Sequence, residues 1–314
     1  MNKILVIGAF GQLGSELTLE LRKIYGDSNV IASDISENHP LAHEGLFERI
    51  DVLDYQRLEE VVDKYEITQI YNLAAILSSV GESKPKLAWD LNMGGLMNVL
   101  EIARIKKLDK IYWPSSMAVF GPDTPKANTP QDTVTNPTTM YGISKLAGER
   151  LCEYYYNKFG VDVRSIRYPG LIGYKAMPGG GTTDYAVDIY FKAVKGEAFD
   201  CFLSKGEPLP MMYMNDAVRG TIELMEAPAK NITIRTSYNM SAMSFDPEEI
   251  EASIQRHYPD FKIGYAPDHR QDIAASWPDS IDDQVARRDW AWKEEFDLNA
   301  MSDDILLNLA KILK

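Results

Sequence analysis

The sequence predicts an α/β protein, a doubly wound parallel sheet joined to a smaller, partly discontinuous α/β lobe. Three observations lead there. Short apolar runs alternate with amphipathic stretches through the first half, the order of strand, crossover and strand that a parallel sheet needs. The first run ends in a turn spaced Gly8-x-x-Gly11-x-x-Gly14. After Arg167 the texture changes, with Gly and Pro gathered over 169–182 and a loop at Gly179-Gly180-Gly181.

The elements follow in order. Apolar runs such as Ile4-Leu5-Val6-Ile7 and Val30-Ile31-Ala32 place strands at 3–8, 29–34, 68–74, 109–116 and 162–168. The stretches between them, 12–25, 55–64, 86–106 and 140–159, carry helical patterning. Beyond Arg167 helices are expected near 184–195, 215–226 and 246–257, with short strands near 199–203, 211–214 and 232–239. A Trp277-Pro278 turn and an amphipathic helix over 301–313 close the chain. The division expected is 1–168 with 212–240 as a dinucleotide-binding domain, and 169–211 with 241–314 as the smaller lobe.

Composition narrows the class. The 314 residues suffice for one large α/β unit or two domains sharing a cleft. With 45% hydrophobic and 25% charged residues the chain reads as a globular protein. A net charge of −13 argues against a nucleic-acid surface, which needs clustered Lys and Arg. Cys152 and Cys201 stand apart without metal-ligand spacing and read as reduced, structural thiols, so no metal is expected. No apolar run approaches the ~18 residues of a membrane span. A strand begins within two residues of Met1, which leaves no signal peptide and predicts a cytoplasmic protein.

The glycine turn predicts where a dinucleotide binds. Gly8 lets the chain turn sharply off the first strand, Gly11 removes a side chain where a pyrophosphate approaches, and Gly14 lets the following helix pack on the sheet. Phe10, Gln12 and Leu13 fill the turn between them. The helix N-terminus then offers free N–H groups and a positive dipole end to the phosphates. Asp34 ends the second strand, 20 residues after Gly14, where an acid accepts hydrogen bonds from the adenosine ribose. A 2′-phosphate there would meet a like charge, with no Arg or Lys between Asp34 and Arg49 to offset it. NAD is therefore expected rather than NADP; the competing reading of Asp34 is a helix cap. Asp51, with Val52 beside it, follows the third strand and could reach the adenine amino group or simply be a loop acid. Leu73, Ala74 and Ala75 are small or apolar at the end of the fourth strand and suit close passage of the dinucleotide.

A second cluster carries the chemistry. Tyr141 and Lys145, at i and i+4, share one helix face. An ammonium and the positive charge of an oxidised nicotinamide would both lower the phenol pKa from about 10. Tyr141 could then take a hydroxyl proton as hydride leaves the same carbon. Lys145 would also hold the nicotinamide ribose. The bland alternative is a surface helix pair. Ser116 weighs against it, because it ends the fifth strand, and strand C-termini are where an open α/β sheet presents its crevice.

Together these residues resemble the extended short-chain dehydrogenase/reductase family over nearly the whole chain. The resemblance rests on the Gly8 to Gly14 turn, Asp34, Asn72-Leu73-Ala74-Ala75, Asn92, Ser116, Tyr141 to Lys145, and Arg167-Tyr168-Pro169-Gly170. It implies a Rossmann domain, places Asn92 among the cofactor-binding residues, and puts Tyr168, Pro169 and Leu171 against the nicotinamide. Many members act on nucleotide sugars. Those usually carry Asn where this chain has Gly170 and Arg where it has Leu209, groups that hold a nucleotide diphosphate. More specific phrases resemble the L-threonine 3-dehydrogenase branch, among them Phe120 to Lys126, Gly181 to Ala186, Pro210 to Met214, and Ala275-Ser276-Trp277-Pro278. That likeness implies NAD-dependent oxidation of the L-threonine β-hydroxyl to 2-amino-3-ketobutyrate. Tyr141 would be the base, and Ser116 would orient the hydroxyl. Ser78, Gly180, Thr182 or Thr183, and Asp184 would hold the amino acid head. Plainer roles are open for each: Ser78 a loop serine, Thr183 an N-cap, Asp184 a first-turn acid, and Trp277 lobe packing. The likeness also implies a homodimer pairing the helices near 86–106 and 140–159. The alternatives are a nucleotide-sugar epimerase or dehydratase on the same fold, and a non-catalytic dinucleotide sensor.

Overall fold

The computed structural model describes residues 2–176 and 181–313. The first half runs β1 (Ile4–Ile7), α1 (Gln12–Tyr25), β2 (Val30–Asp34), β3 (Phe47–Arg49), α2 (Tyr55–Tyr65), β4 (Gln69–Asn72), α3 (Ser78–Ser83), α4 (Pro85–Lys106), β5 (Lys110–Tyr112), β6 (Ser115–Ser116), α5 (Met140–Phe159) and β7 (Val163–Arg164). Then come β8 (Ile166–Tyr168), β9 (Gly170–Ile172), α6 (Tyr185–Lys195), β10 (Phe199–Cys201), β11 (Leu209–Tyr213), α7 (Met214–Glu226), β12 (Tyr238–Asn239) and β13 (Met243–Phe245). The chain closes with α8 (Pro247–Gln255), β14 (Ile263–Tyr265), α9 (His269–Ala275), α10 (Gln284–Trp290) and α11 (Leu298–Ile312).

The main sheet has six parallel strands in the order β3-β2-β1-β4-β5-β7. Chain direction across the sheet reverses between β1 and β4, the switch point at which doubly wound sheets open a crevice. Smaller sheets continue the architecture: β12-β8-β6, β13-β11-β9 and the pair β10-β14. Only the β11–β13 pairing is antiparallel among them.

Side-chain alternation along the strands builds two cores. Ile4, Val6, Tyr71 and Tyr112 face α1 and α7 with Leu17, Leu21 and Ala217. Leu5, Ile7, Ile70 and Ile111 face the other way, onto Leu96, Val99 and Leu100 of α4. All eight strand residues are buried, each worth ~1.5–3 kcal/mol of transfer free energy. A third core lies beneath the second half, where Ile172, Tyr185, Met211, Phe245 and Leu309 meet.

Two expected strands are broken. The run 109–116 splits at Trp113-Pro114 into β5 and β6, because Pro114 has no N–H to give the ladder. The run 162–168 splits at Ser165 into β7 and β8. The break moves Ser115 and Ser116 off the main sheet and onto β8, with Ser116 opposite Tyr168. The strand expected over 232–239 shortens to Tyr238–Asn239. Among the described residues no helix is long and apolar enough to cross a membrane.

Candidate active site

A cleft opens at the C-terminal ends of β1, β4, β6 and β8, roofed by the segment entering α6 and by Trp277. Its floor is the glycine turn. Gly8 has φ +79°, and a Cβ there would lie 2.8 Å from the Ala74 backbone nitrogen. A Cβ on Gly14 would overlap the Gly8 carbonyl oxygen. Gly11 differs: a Cβ there would meet only the Gly8 oxygen, at an ordinary 3.6 Å. Protein packing does not require Gly11, and the space it leaves faces the cleft. Helix α1 has neither a side-chain cap nor an acid in its first turn, so its leading N–H groups are left for an anion.

Asp34 stands beside this turn. Its Oδ2 accepts the Phe10 N–H at 3.2 Å and its Oδ1 accepts the Ser36 N–H at 3.2 Å. Phe10 stacks between His39 and Phe47, with ring centroids 4.5 and 5.3 Å away. Sequence distance concealed one neighbour: strand register puts Arg49 opposite Asp34. Its Nε donates to the Ile35 carbonyl at 3.0 Å. The open cradle at Gly11, the uncapped helix and the acid at Asp34 fit a dinucleotide.

Helix α5 delivers the reactive groups. Thr139 caps it by accepting the Gly142 N–H at 3.0 Å, and Glu82 of α3 accepts the Met140 N–H at 2.7 Å. Gly142 lies so close to the loop after Ser116 that a Cβ would overlap the Ala118 carbonyl. That approach sets Tyr141 beside Ser116, whose hydroxyl favours the phenolate and accepts the Ala118 N–H at 3.2 Å. Lys145 is 2% exposed. Its Nζ donates to the Pro114 carbonyl at 2.6 Å and lies 4.6 Å from the Trp113 ring centroid and 5.5 Å from that of Tyr141.

Burial dominates the electrostatics of this pair. The ammonium and the nicotinamide charge together were expected to lower the phenol pKa; in the protein alone burial pushes Tyr141 up to about 12, and the nearby Ser116 hydroxyl offsets only part of that. Burial also brings Lys145 down to about 7, against the opposing pull of Cys152 and Glu149. Both groups are held toward their neutral forms because desolvation outweighs their mutual influence.

Most of the expected residues meet in this cleft. Gly8, Gly11, Gln12, Leu13 and Gly14 line it together with Leu73 and Ala75. So do Ser116, Tyr141, Lys145, Tyr168, Pro169 and Leu171. On the opposite wall stand Ser78, Thr182, Thr183 and Asp184. Ser78 opens helix α3 rather than lying in a loop. The Thr182 hydroxyl is buried and has no hydrogen-bond partner among the described residues. Thr183 is not the N-cap of α6; Asp184 holds that position and accepts the Gly181 N–H at 2.6 Å. Trp277 both lines the cleft and belongs to the third core. Gly180 lies outside the described residues.

Others stand apart from the cleft lining. Asn92 spends its amide on the Ile76 backbone, at 2.8 and 3.1 Å, and on Ser144 at 3.1 Å. It therefore pins the loop after β4 to α5 instead of facing the cleft. Val52 is buried against Gly95, and Asp51 turns back to accept the Leu53 N–H at 3.0 Å while remaining exposed. Ala74 packs under Gly8. Tyr168 directs its hydroxyl into the core, accepting from Tyr112 at 2.7 Å and bonding Thr221, so the cleft does not receive its phenol. Sequence reasoning missed Leu77, Met117 and Ser115 in the lining. It also missed the buried Glu149–Arg167 ion pair behind the cleft, at 2.8 Å. Among the described residues no group of three His, Cys, Asp or Glu side chains could hold a metal ion.

Residues 4–240 match the model of the NAD dependent epimerase/dehydratase family. An uncharacterised epimerase/dehydratase of Staphylococcus saprophyticus is 50% identical over 98% of this chain and 96% of its own length. Among solved structures, the holo form of an L-threonine dehydrogenase from Cupriavidus necator is 56% identical with a TM-score of 0.96, covering 98% of this chain and 99% of its own. An L-threonine dehydrogenase from Clostridium difficile is 50% identical with a TM-score of 0.97, covering 99% of this chain and 98% of its own. A UDP-glucose 4-epimerase from Thermotoga maritima shares the fold, with a TM-score of 0.88 over both full chains at 20% identity. The chain thus belongs to the NAD-dependent epimerase/dehydratase family of extended short-chain dehydrogenases/reductases, with NAD as its cofactor.

Proposed function

We propose that this enzyme oxidises the β-hydroxyl of L-threonine to 2-amino-3-ketobutyrate. One observation carries the choice of a small substrate. A Cβ on Gly170 would overlap Met211 Sδ and lie 2.8 Å from Thr183 Cγ2. The room that the Asn of a nucleotide-sugar enzyme would need is thus filled by Thr183 and Met211. Leu209, where such enzymes carry Arg, is completely buried. A nucleotide diphosphate finds neither partner, and what remains is a compact wall bearing hydroxyls. The C. necator and C. difficile structures support the same reading.

The residues then take these roles. The Gly8 to Gly14 turn and the N–H groups of α1 hold the pyrophosphate, Asp34 the adenosine ribose, and Lys145 the nicotinamide ribose. Bound NAD supplies the hydride acceptor and a positive charge on its nicotinamide ring. Tyr141 Oη accepts the proton of the threonine β-hydroxyl. In its buried setting it needs cationic neighbours to become the phenolate, and among the described residues Lys145, 5.5 Å from its ring, is one. Ser116 Oγ donates to the substrate oxygen and keeps it aimed at Tyr141. Hydroxyls both donate and accept, so Ser78, Thr182 and Thr183 can serve an ammonium or a carboxylate. A dinucleotide sensor would have no use for Ser116, Tyr141 and Lys145 in one cluster. We also propose a homodimer through α4 and α5, which leave Trp89, Met97, Ile143 and Tyr154 exposed.

Thr182→Val and Thr183→Val test the substrate wall. Removing one hydroxyl should cost about 1–3 kcal/mol of threonine binding and leave NAD affinity unchanged. Wild-type threonine kinetics in both variants would remove this wall from the substrate site.

A further inference from the structure

Behind the cleft lies a charge that the mechanism above does not use. Glu149 is completely buried on α5, one turn beyond Lys145 and two beyond Tyr141. Arg167 grips it with two parallel bonds, Nε to Oε1 and Nη2 to Oε2, both 2.8 Å. The Ser115 hydroxyl donates to Oε1 at 2.7 Å. Arg167 is itself held, donating to the Gln131 carbonyl and the Asn239 side chain at 3.1 Å each, and its guanidinium lies over the Phe120 ring. These partners come from the strands that carry the site. Ser115 precedes Ser116 on β6, and Arg167 precedes Tyr168 on β8.

A buried ion pair is weak evidence for stability, since removing two charges from water costs about as much as their attraction returns. Its placement here suggests another use. Both strands end at the cleft, and neither Ser116 nor Tyr168 bonds α5 through its backbone in the way that Ser115 and Arg167 do through their side chains. We propose that Glu149 is a positioning residue for the reaction: it ties β6 and β8 to α5, fixes Ser116 against Tyr141, and sets a carboxylate one helical turn from Lys145 on the same helix. The inference rests on the assignment of Ser116, Tyr141 and Lys145 above.

The electrostatic part has a defined sign. The groups facing Lys145 are Tyr141, Glu149 and Cys152 on its own helix, with the Trp113 ring and the Pro114 carbonyl opposite. Arg167 meets Glu149. Burial, the largest effect, opposes the charged lysine, while Cys152 and then the Glu149 carboxylate favour it. Without the carboxylate, Lys145 should lose its proton at lower pH.

The test is the pH dependence of NAD affinity, measured by calorimetry on the wild type, E149Q, S115A and the double variant E149Q/R167Q. The NAD titration needs no substrate, so failure of the threonine reading would leave that arm intact. In E149Q the alkaline fall in affinity should move to lower pH by about one unit. E149Q leaves Arg167 buried without its carboxylate; the double variant removes an attractive and a repulsive charge together, so it should show a smaller displacement in the same direction, Glu149 being the member of the pair that acts on Lys145. S115A keeps the ion pair and should keep the wild-type NAD profile; loss of its buried bond to Glu149 should lower the melting temperature by a few degrees, while kcat with threonine falls about tenfold from misplacement of Ser116. NAD profiles of E149Q or the double variant that coincide with the wild type would overturn the electrostatic role. Unchanged kcat in S115A would overturn the positioning of Ser116.

Discussion

Lys145→Met should stabilise the protein alone while destroying its activity. The lysine is 2% exposed, and burial lowers it from 10.5 to about 7. Each pKa unit is about 1.4 kcal/mol, so the charged lysine costs at most about 5 kcal/mol in the fold. Methionine fills much the same volume without the charge. The lost bond to Pro114 returns roughly 1–3 kcal/mol. The net expectation is about 2–3 kcal/mol of added stability near pH 6.5, a rise of several degrees in melting temperature. The sign follows from linkage. Below about pH 7 the lysine is protonated in both folded and unfolded chains, so the burial cost is fully present and the advantage of Met is greatest. Between about 7 and 10.5 only the unfolded chain binds the proton, the wild type gains stability with pH, and the advantage shrinks. Thermal unfolding without cofactor at pH 6.5, 8 and 9.5 reads this directly. A variant less stable than wild type at pH 6.5, or a difference that does not change with pH, would refute the reasoning.

Two further substitutions probe the site. Tyr141→Phe keeps the packing of the ring and removes the proton acceptor; kcat should fall by about 10²-fold or more, with NAD affinity retained in a binding titration. Gly170→Asn restores the residue usual in nucleotide-sugar enzymes but meets Met211 and Thr183, so it should lower stability by about 1–3 kcal/mol in denaturant unfolding and confer no affinity for a nucleotide sugar.

Much of this arrangement was legible in the sequence because it is local. The glycine turn, the carboxylate after β2 and the i,i+4 pair on α5 each sit on one or two adjacent elements whose periodicity is strong. The helices α1, α2, α4 and α5 appear within a residue or so of the expected positions. What escaped depends on pairing between distant segments. Nothing near Asn92 in sequence shows that its amide belongs to Ile76 and Ser144. Arg49 becomes a neighbour of Asp34 only through the register of β2 and β3. Glu149 and Arg167 are 18 residues apart on different elements, yet one signal was present: a glutamate two turns after Tyr141 on the buried face of its helix must have a partner. The burial that raises Tyr141 in the protein alone was not legible for a similar reason, because burial is a property of the assembled cleft.

The most direct measurement of the central claim is NADH absorbance with the purified enzyme, NAD and either L-threonine or a panel of uridine diphosphate sugars. The account predicts sustained NAD reduction with L-threonine and none with the sugars. Interconversion of a nucleotide sugar without net NADH formation, together with no reduction in the presence of L-threonine, would contradict it.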